Sequence, residues 1–484
     1  MSETIPHWLT KQADLAPNKL ALEIDEEISL TFKELYNKSK QIAQKLNNLN
    51  INPKDRIAIL STNSLDMLMT IHALSYLDAI VVLLNTRLTS SELNYQIKNS
   101  EATLLITTEE LCQEKKLETN KVKTFTEIKE LKQNVDKPLN ESINLNDIWT
   151  IMYTSGTTGL PKAVGHTYGN HWWSAISSGL NLGIHEDDKW LSPLPMYHVG
   201  GLSVFIKSII YGMSVYLLPH YNKERLSNVL HEKEITIASL VTLMLADYLD
   251  SLEGQTSPAK LRAILLGGGS VPETLLNKAK DKKIPLFQSY GMTETSSQIA
   301  TLSPTDNIRK LGSAGKPLMP AEVKVNAKTN EIGEVLVKGP MVISNYFNNE
   351  EATAESFKEG WLKTGDLGYL DEENFLYIVD RRSDLIISGG ENIYPTEIEN
   401  TLLNHDNIKE VAVVKKTDDK FGYVPAAFIV LKNKNYKPDF SSYLKDSLAK
   451  YKQPKEYIFI DELPRTASNK VKRFELEKRL QSSK

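Results

Sequence analysis

Arg56-Ile57-Ala58-Ile59-Leu60, Ala79-Ile80-Val81-Val82-Leu83-Leu84 and Thr103-Leu104-Leu105-Ile106 are short, almost unbroken apolar runs separated by longer stretches. Such runs suit strands of a sheet covered on both faces, whereas a half-solvated sheet would alternate polar and apolar residues. Ile237–Val241 and Ala263–Leu266 repeat the pattern farther along. Helical patterns lie between them. One opens at Thr31-Phe32-Lys33-Glu34, a capping box, and continues through the apolar face Leu35, Ile42, Ala43 and Leu46. Alternating strand and helix signals predict an α/β fold with mostly parallel sheets flanked by helices.

The texture changes near residue 380. Before it, Val323 to Val379 is extended and turn-rich; after it come a helix opening at Tyr394-Pro395, strands at Val411–Val414 and Ala427–Leu431, a helix around Ser442–Lys450 and a strand at Tyr457–Ile460. The expected division is a large unit over residues 1–382 and a small, mobile α+β unit over 383–484, the latter of ordinary domain size. A chain of 484 residues is too long for one core.

Composition narrows the partners. The net charge of −4, with 41% hydrophobic and 24% charged residues, describes a soluble globular protein without a nucleic-acid-binding surface. One cysteine, Cys112, excludes an intramolecular disulfide and a cysteine-based metal cluster. The N-terminus lacks the basic start and apolar core of a signal peptide, and no apolar run is long enough to span a bilayer. The expectation is a cytoplasmic protein without membrane insertion; homo-oligomerisation is left open.

Chemistry enters with Thr154-Ser155-Gly156-Thr157-Thr158-Gly159-Leu160-Pro161-Lys162, which follows the apolar run Ile148–Tyr153. Two glycines and four hydroxyl residues suit a phosphate cradle, since backbone N–H groups can approach closely and hydroxyls add donors. Lys162 adds positive charge. The spacing is not that of a Walker loop. Farther on lie Leu194-Pro195-Met196-Tyr197-His198-Val199-Gly200-Gly201, the triplet Gly267-Gly268-Gly269 after a strand, and Ser289-Tyr290-Gly291-Met292-Thr293-Glu294. Thr364-Gly365-Asp366, Ser388-Gly389-Gly390-Glu391-Asn392 and Pro464-Arg465-Thr466-Ala467-Ser468-Asn469-Lys470 complete the series.

In this order the segments resemble the signatures of the adenylate-forming superfamily of acyl-CoA synthetases, peptide-synthetase adenylation domains and luciferases. The resemblance covers most of the chain. It implies ATP, Mg²⁺ and CoA as cofactor and substrates, with a carboxylic acid as the group activated. The ATP site would comprise Thr154, Ser155, Gly156, Thr157, Thr158, Gly159, Lys162, Gly268, Ser289, Tyr290, Gly291, Met292, Thr293, Asp366 and Arg381. Tyr290 would offer its ring to adenine, Thr293 its hydroxyl to the α-phosphate, and Asp366 its carboxylate to the ribose. Glu294, a hard oxygen ligand, would hold the metal. His198 would wall the reacting carboxylate. Gly389 and Gly390 would admit a pantetheine arm, and Lys470 would stabilise charge developing between carboxylate and α-phosphate. Ser383 would be the hinge. Two positions depart from the pattern: Asn469 stands where members have Gly, and Ser383 lacks the charge of the usual Asp or Lys.

Within the superfamily, residues 193–203, 291–298 and 388–395 are most similar to the o-succinylbenzoate–CoA ligase family of menaquinone biosynthesis. One physical feature agrees. Lys207 interrupts the apolar helical run Val204–Ile210, where a cation is costly unless it snorkels to water or meets an anion. A second carboxylate on the acid would be that anion. Ser203 and Ser297 are further acid-pocket candidates. The competing readings are a medium-chain or aryl acid–CoA ligase, an enzyme loading a carrier protein, and a nucleotide-binding regulator without turnover.

Overall fold

The computed structural model describes residues 4–482 apart from 26–27, 120, 155–160, 253–255, 269–270, 272, 308, 382–384, 434–438, 465–470 and 472. Two large sheets dominate its N-terminal part. In the first, Ile148–Thr154, Ile80–Leu84, Arg56–Leu60, Leu104–Thr107 and Val122–Thr124 run parallel in that spatial order, and Lys162–Thr167 closes one edge as an antiparallel hairpin. The second has nine strands. Its six central ones, Leu286–Met292, Ala263–Leu266, Ile237–Leu240, Lys189–Ser192, Ser214–Leu217 and Leu20–Ile24, are parallel; antiparallel strands flank both ends.

The apolar runs became these strands for the expected reason. Ile80–Leu84 is buried at all five positions, so both faces meet protein. The helix Phe32–Leu46 starts with the predicted Thr31/Glu34 capping box and buries Leu35, Ile42, Ala43 and Leu46. The largest apolar cluster, around Trp149, Trp190 and Phe205, fills the space between the two sheets.

The turn-rich segment is a five-stranded antiparallel sheet built on Gly333–Lys338 and the long strand Trp361–Leu370. A separate sheet of Ile386–Ser388, Glu391–Ile393, Ile408–Asp418, Gly422–Leu431 and Glu456–Phe459 follows, with its own core around Ile393, Ile398, Leu402 and Phe440. Here one expectation needs correction. The helix expected around Ser442–Lys450 is only Phe440–Leu444, followed by turns. Phe440, Leu444 and Leu448 keep helical spacing and are buried, and in the turns past the helix the Gln453 amide donates to the Leu448 carbonyl at 2.9 Å. Among the described residues no helix is long and apolar enough to cross a membrane.

Candidate active site

A cavity of about 1670 Å³ opens where the parallel strands of both large sheets end. Asn85 and Arg87 follow Leu84, Pro193 and Leu194 follow Ser192, Val241 follows Leu240, and Gly267 follows Leu266; all line it. Ligands favour this edge of an α/β sheet, because the loops there are free to vary on a fixed frame. The far wall is the C-terminal segment Ile387–Asn392.

On one side, the strand Leu286–Met292 carries Ser289, Tyr290, Gly291 and Met292 into a short 3₁₀ turn, Thr293–Thr295. Gly291 is obligatory: a Cβ there would lie 2.0 Å from the Ser297 carbonyl oxygen. Ser289 donates to the Leu266 carbonyl at 3.0 Å, fixing the strand beside Gly267 and Gly268. The His166 ring meets the Thr293 carbonyl at 2.7 Å. Tyr290 donates to Asp366 at 2.6 Å, and Asp366 is only 1% exposed. Strand register sets Arg381 opposite Asp366.

Glu294 is buried as well. Its Oε1 accepts from the Tyr346 hydroxyl at 2.9 Å and from the Thr154 hydroxyl at 3.4 Å. Lys162 stands 4.9 Å from the Tyr346 ring centre. Burial and the Glu294 charge push the Tyr346 phenol well above its ordinary range, so it stays a donor. Among the described residues no cluster of three or more Asp, Glu, His or Cys could hold a metal by itself. One buried carboxylate facing a large cavity fits Mg²⁺, which takes its remaining ligands from phosphates and water.

On the other side, His198 precedes the helix Val199–Tyr211. Ser203 lines the cavity and Lys207 lies one turn deeper on the same helix face. Snorkelling is ruled out, since Lys207 is 1% exposed. Its ammonium sits 5.3 Å from the Trp190 ring centre, and burial lowers its pKa from 10.5 to about 7. Lys207 does not itself line the cavity, but Trp190 donates to Ser239, which does. Ser297 lines the cavity too, at φ 127°, followed by the buried Gln298.

Gly389 and Gly390 close the third side with φ of 56° and 87°, values that favour glycine. A Cβ on Gly390 would touch the Val241 side chain at 3.4 Å. Next to them Glu391 reaches Arg87 at 2.5 Å and His198 at 3.6 Å. Burial raises its pKa, but His198 and Arg87 outweigh that and bring it down to about 2. Of the residues expected at the site, Ser155, Gly156, Thr157, Thr158, Gly159, Ser383 and Lys470 lie outside the described residues, as does the side chain of Arg381.

The family described as AMP-binding enzyme matches residues 9–347, and its C-terminal domain family matches residues 397–470. The chain belongs to the AMP-binding enzyme family. Among AMP-binding enzymes it is 50% identical to the 2-succinylbenzoate–CoA ligase of Oceanobacillus iheyensis, over 99% of this chain and 100% of that one. It superposes with a TM-score of 0.93, at 44% identity, on a double mutant of the Bacillus subtilis o-succinylbenzoate CoA synthetase bound with its product analogue. That match covers 98% of this chain and 99% of the other. The same Bacillus subtilis enzyme in complex with its acyl-adenylate intermediate gives 0.76, at 43% identity, with 98% of each chain covered.

Sequence reasoning missed Tyr346 and Arg87 in this AMP-binding enzyme. Tyr346 sits in Ser344-Asn345-Tyr346-Phe347-Asn348 with no local sign of its partner Glu294, which is 52 residues away. Replacing Tyr346 by Phe is expected to leave Glu294 one donor short and free to turn. The KM for Mg-ATP should rise on the order of 10-fold, about 1–1.5 kcal/mol for one hydrogen bond, with the KM for the acid unchanged. Steady-state kinetics with each substrate varied in turn check this; an equal rise in both would refute it.

Proposed function

We propose that this chain converts o-succinylbenzoate to o-succinylbenzoyl-CoA in two ATP-dependent half-reactions. The observation that carries the reading is a single cavity lined by the Tyr290–Asp366 pair, by Glu294 and by the Gly389–Gly390 loop. A nucleotide-sized site and a thiol-admitting loop thus share one space. Full-length similarity to enzymes named for this acid supports the choice of substrate.

In the first half-reaction an oxygen of the acid attacks the ATP α-phosphorus and pyrophosphate leaves. Asp366 and Tyr290 hold the nucleoside; Thr154, Lys162 and residues 155–159 hold the phosphates; Thr293 donates to the α-phosphate. Lys470 stabilises charge on the oxygens that exchange bonds. Mg²⁺, when bound, neutralises phosphate charge, with Glu294 as its protein ligand. In the second, the CoA sulfur attacks the acyl carbon, AMP leaves with the electron pair of the cleaved C–O bond, and the thiol proton is lost. Gly389 and Gly390 admit the thiol, and His198 borders the reacting carbonyl. We divide the chain at residues 382/383, with Ser383 as hinge, and take the protein to be cytoplasmic. The higher TM-score to the product-analogue complex supports assigning the present arrangement to the second half-reaction.

The test is pyrophosphate release and CoA-thioester formation with ATP, Mg²⁺ and CoA, comparing o-succinylbenzoate, benzoate and octanoate. Strong preference for o-succinylbenzoate is expected. Preference for octanoate or benzoate would overturn the substrate and keep the chemistry; ATP binding without pyrophosphate release would favour a regulator.

A further inference from the structure

Lys452 is a deeply buried ammonium of the C-terminal unit with a carboxylate on each side. It is 4% exposed, lies 2.5 Å from Glu92 and 2.8 Å from Glu397, and both carboxylates are buried. Glu397 sits on Pro395–Leu403, in the same unit as Lys452, whereas Glu92 sits on Ser90–Asn99 against the six-stranded sheet. The Glu92 contact therefore spans 360 residues and joins the two parts of the chain. Each Glu92 oxygen has its own task. Oε1 meets Lys452, while Oε2 accepts from the Thr89 backbone N–H at 2.9 Å and completes a capping box. Burial alone would pull the Lys452 pKa down, yet Glu397 and Glu92 hold it above its ordinary value, so the ammonium stays charged. The neighbouring Tyr451 ring packs under Arg87, at 4.5 Å, and Arg87 in turn holds Glu391 beside Gly390.

We infer that Lys452 is a positioning residue, which clasps Glu92 to hold the C-terminal unit where Gly389 and Gly390 face the cavity. The inference rests on the two-half-reaction reading above. If the unit turns between half-reactions, the Lys452–Glu397 pair travels intact, and of the two ion pairs of Lys452 the one to Glu92 is broken. A clasp made in one arrangement acts on one half-reaction. Leaving the ammonium or either carboxylate buried without its counter-charge is costly, so the clasp favours the fully paired arrangement.

The experiment uses the full-length enzyme with Glu92→Gln, which keeps the capping acceptor and the Lys452–Glu397 pair, and with Lys452→Met. Acid-dependent ATP–pyrophosphate exchange reads the first half-reaction, and single-turnover transfer from preformed acyl-adenylate to CoA reads the second. Exchange is expected to be unchanged. Transfer is expected to fall on the order of 10-fold for Glu92→Gln and 100-fold for Lys452→Met, the span of a typical coupling free energy. Equal loss in both half-reactions, or undiminished transfer in Glu92→Gln, would overturn the clasp. Should Lys452→Met fail to fold, Glu92→Gln decides alone. Wild-type enzyme lacking acid-dependent exchange would instead overturn the ligase reading, and the clasp with it.

Discussion

Lys470→Ala is expected to lower acid-dependent pyrophosphate release on the order of 10²–10³-fold, the effect of losing one donor aimed at transition-state charge. Transfer of the acyl group from supplied acyl-adenylate to CoA should stay near the wild-type rate. The asymmetry follows from a division of labour. Charge develops between the acid and the α-phosphorus only in the first step, whereas the second needs an open path for a thiol. In the present arrangement that path is bordered by Gly389 and Gly390, while Glu391 is occupied by Arg87 and His198. On the proposed reading two loops of one unit serve the same cavity in turn, and a rigid turn of that unit would bring each to it. Rapid-quench measurement of each half-reaction gives the answer; if both fall together, the unit does not turn and Lys470 acts in both.

The charges at the junction explain why the arrangement is definite. Glu391, Glu92, Glu397 and Lys452 are all less than a tenth exposed. Buried charges tolerate few alternative placements, since moving one away from its partner leaves the other desolvated and unpaired. The apolar contacts are small by comparison: Ala449 enters the cluster on the six-stranded sheet, with Tyr451 packed beside it. A junction with few apolar and several ionic contacts is specific in position and still separable.

Which parts of this were legible in the sequence follows from the range of the interactions. Ile80–Leu84 and Ala263–Leu266 were readable because burial on both faces writes itself into consecutive residues. The Thr31 and Tyr394 helix starts were readable because caps are local. Gly291 was identified by resemblance, but its physical necessity, the Ser297 carbonyl, appears only once the turn is folded. The capping box of Thr89 and Glu92 appears only in the folded chain, and Lys452 stands among other lysines near the C-terminus; nothing in the sequence singled out either residue. Neither carries any mark of a partner hundreds of positions away. The helix at Phe440–Leu444 was read too long because buried apolar spacing persists through Leu448, past the end of the helix.

Lys207→Leu is expected to separate recognition of the acid from the chemistry done on it. The variant should lose on the order of 10-fold in kcat/KM for o-succinylbenzoate, the effect of a buried charge that attracts a second carboxylate from behind the cavity wall without bonding to it. Activity with benzoate, which has no such group, should be unchanged. The pH dependence gives an independent reading. With its pKa lowered to about 7, Lys207 in the free enzyme loses its proton as pH rises through neutrality. If Lys207 serves the acid as proposed, a dianionic acid would prefer the protonated form, so wild-type kcat/KM for o-succinylbenzoate should decline above about pH 7, and that decline should vanish in the variant. Stability should respond with a definite sign. Between about 7 and the ordinary 10.5 the unfolded chain binds more protons at this site than the folded one, so its contribution to stability rises with pH over that window. Below it the folded protein carries a fully charged ammonium over the Trp190 ring and the penalty is complete. Leucine removes the penalty, making the variant more stable than wild type at pH 6 and nearly equal above the window. Denaturant melts at both ends, beside kinetics with the two acids, settle the matter: a variant that is less stable and equally impaired with benzoate would make Lys207 a packing residue of its helix, unrelated to the acid.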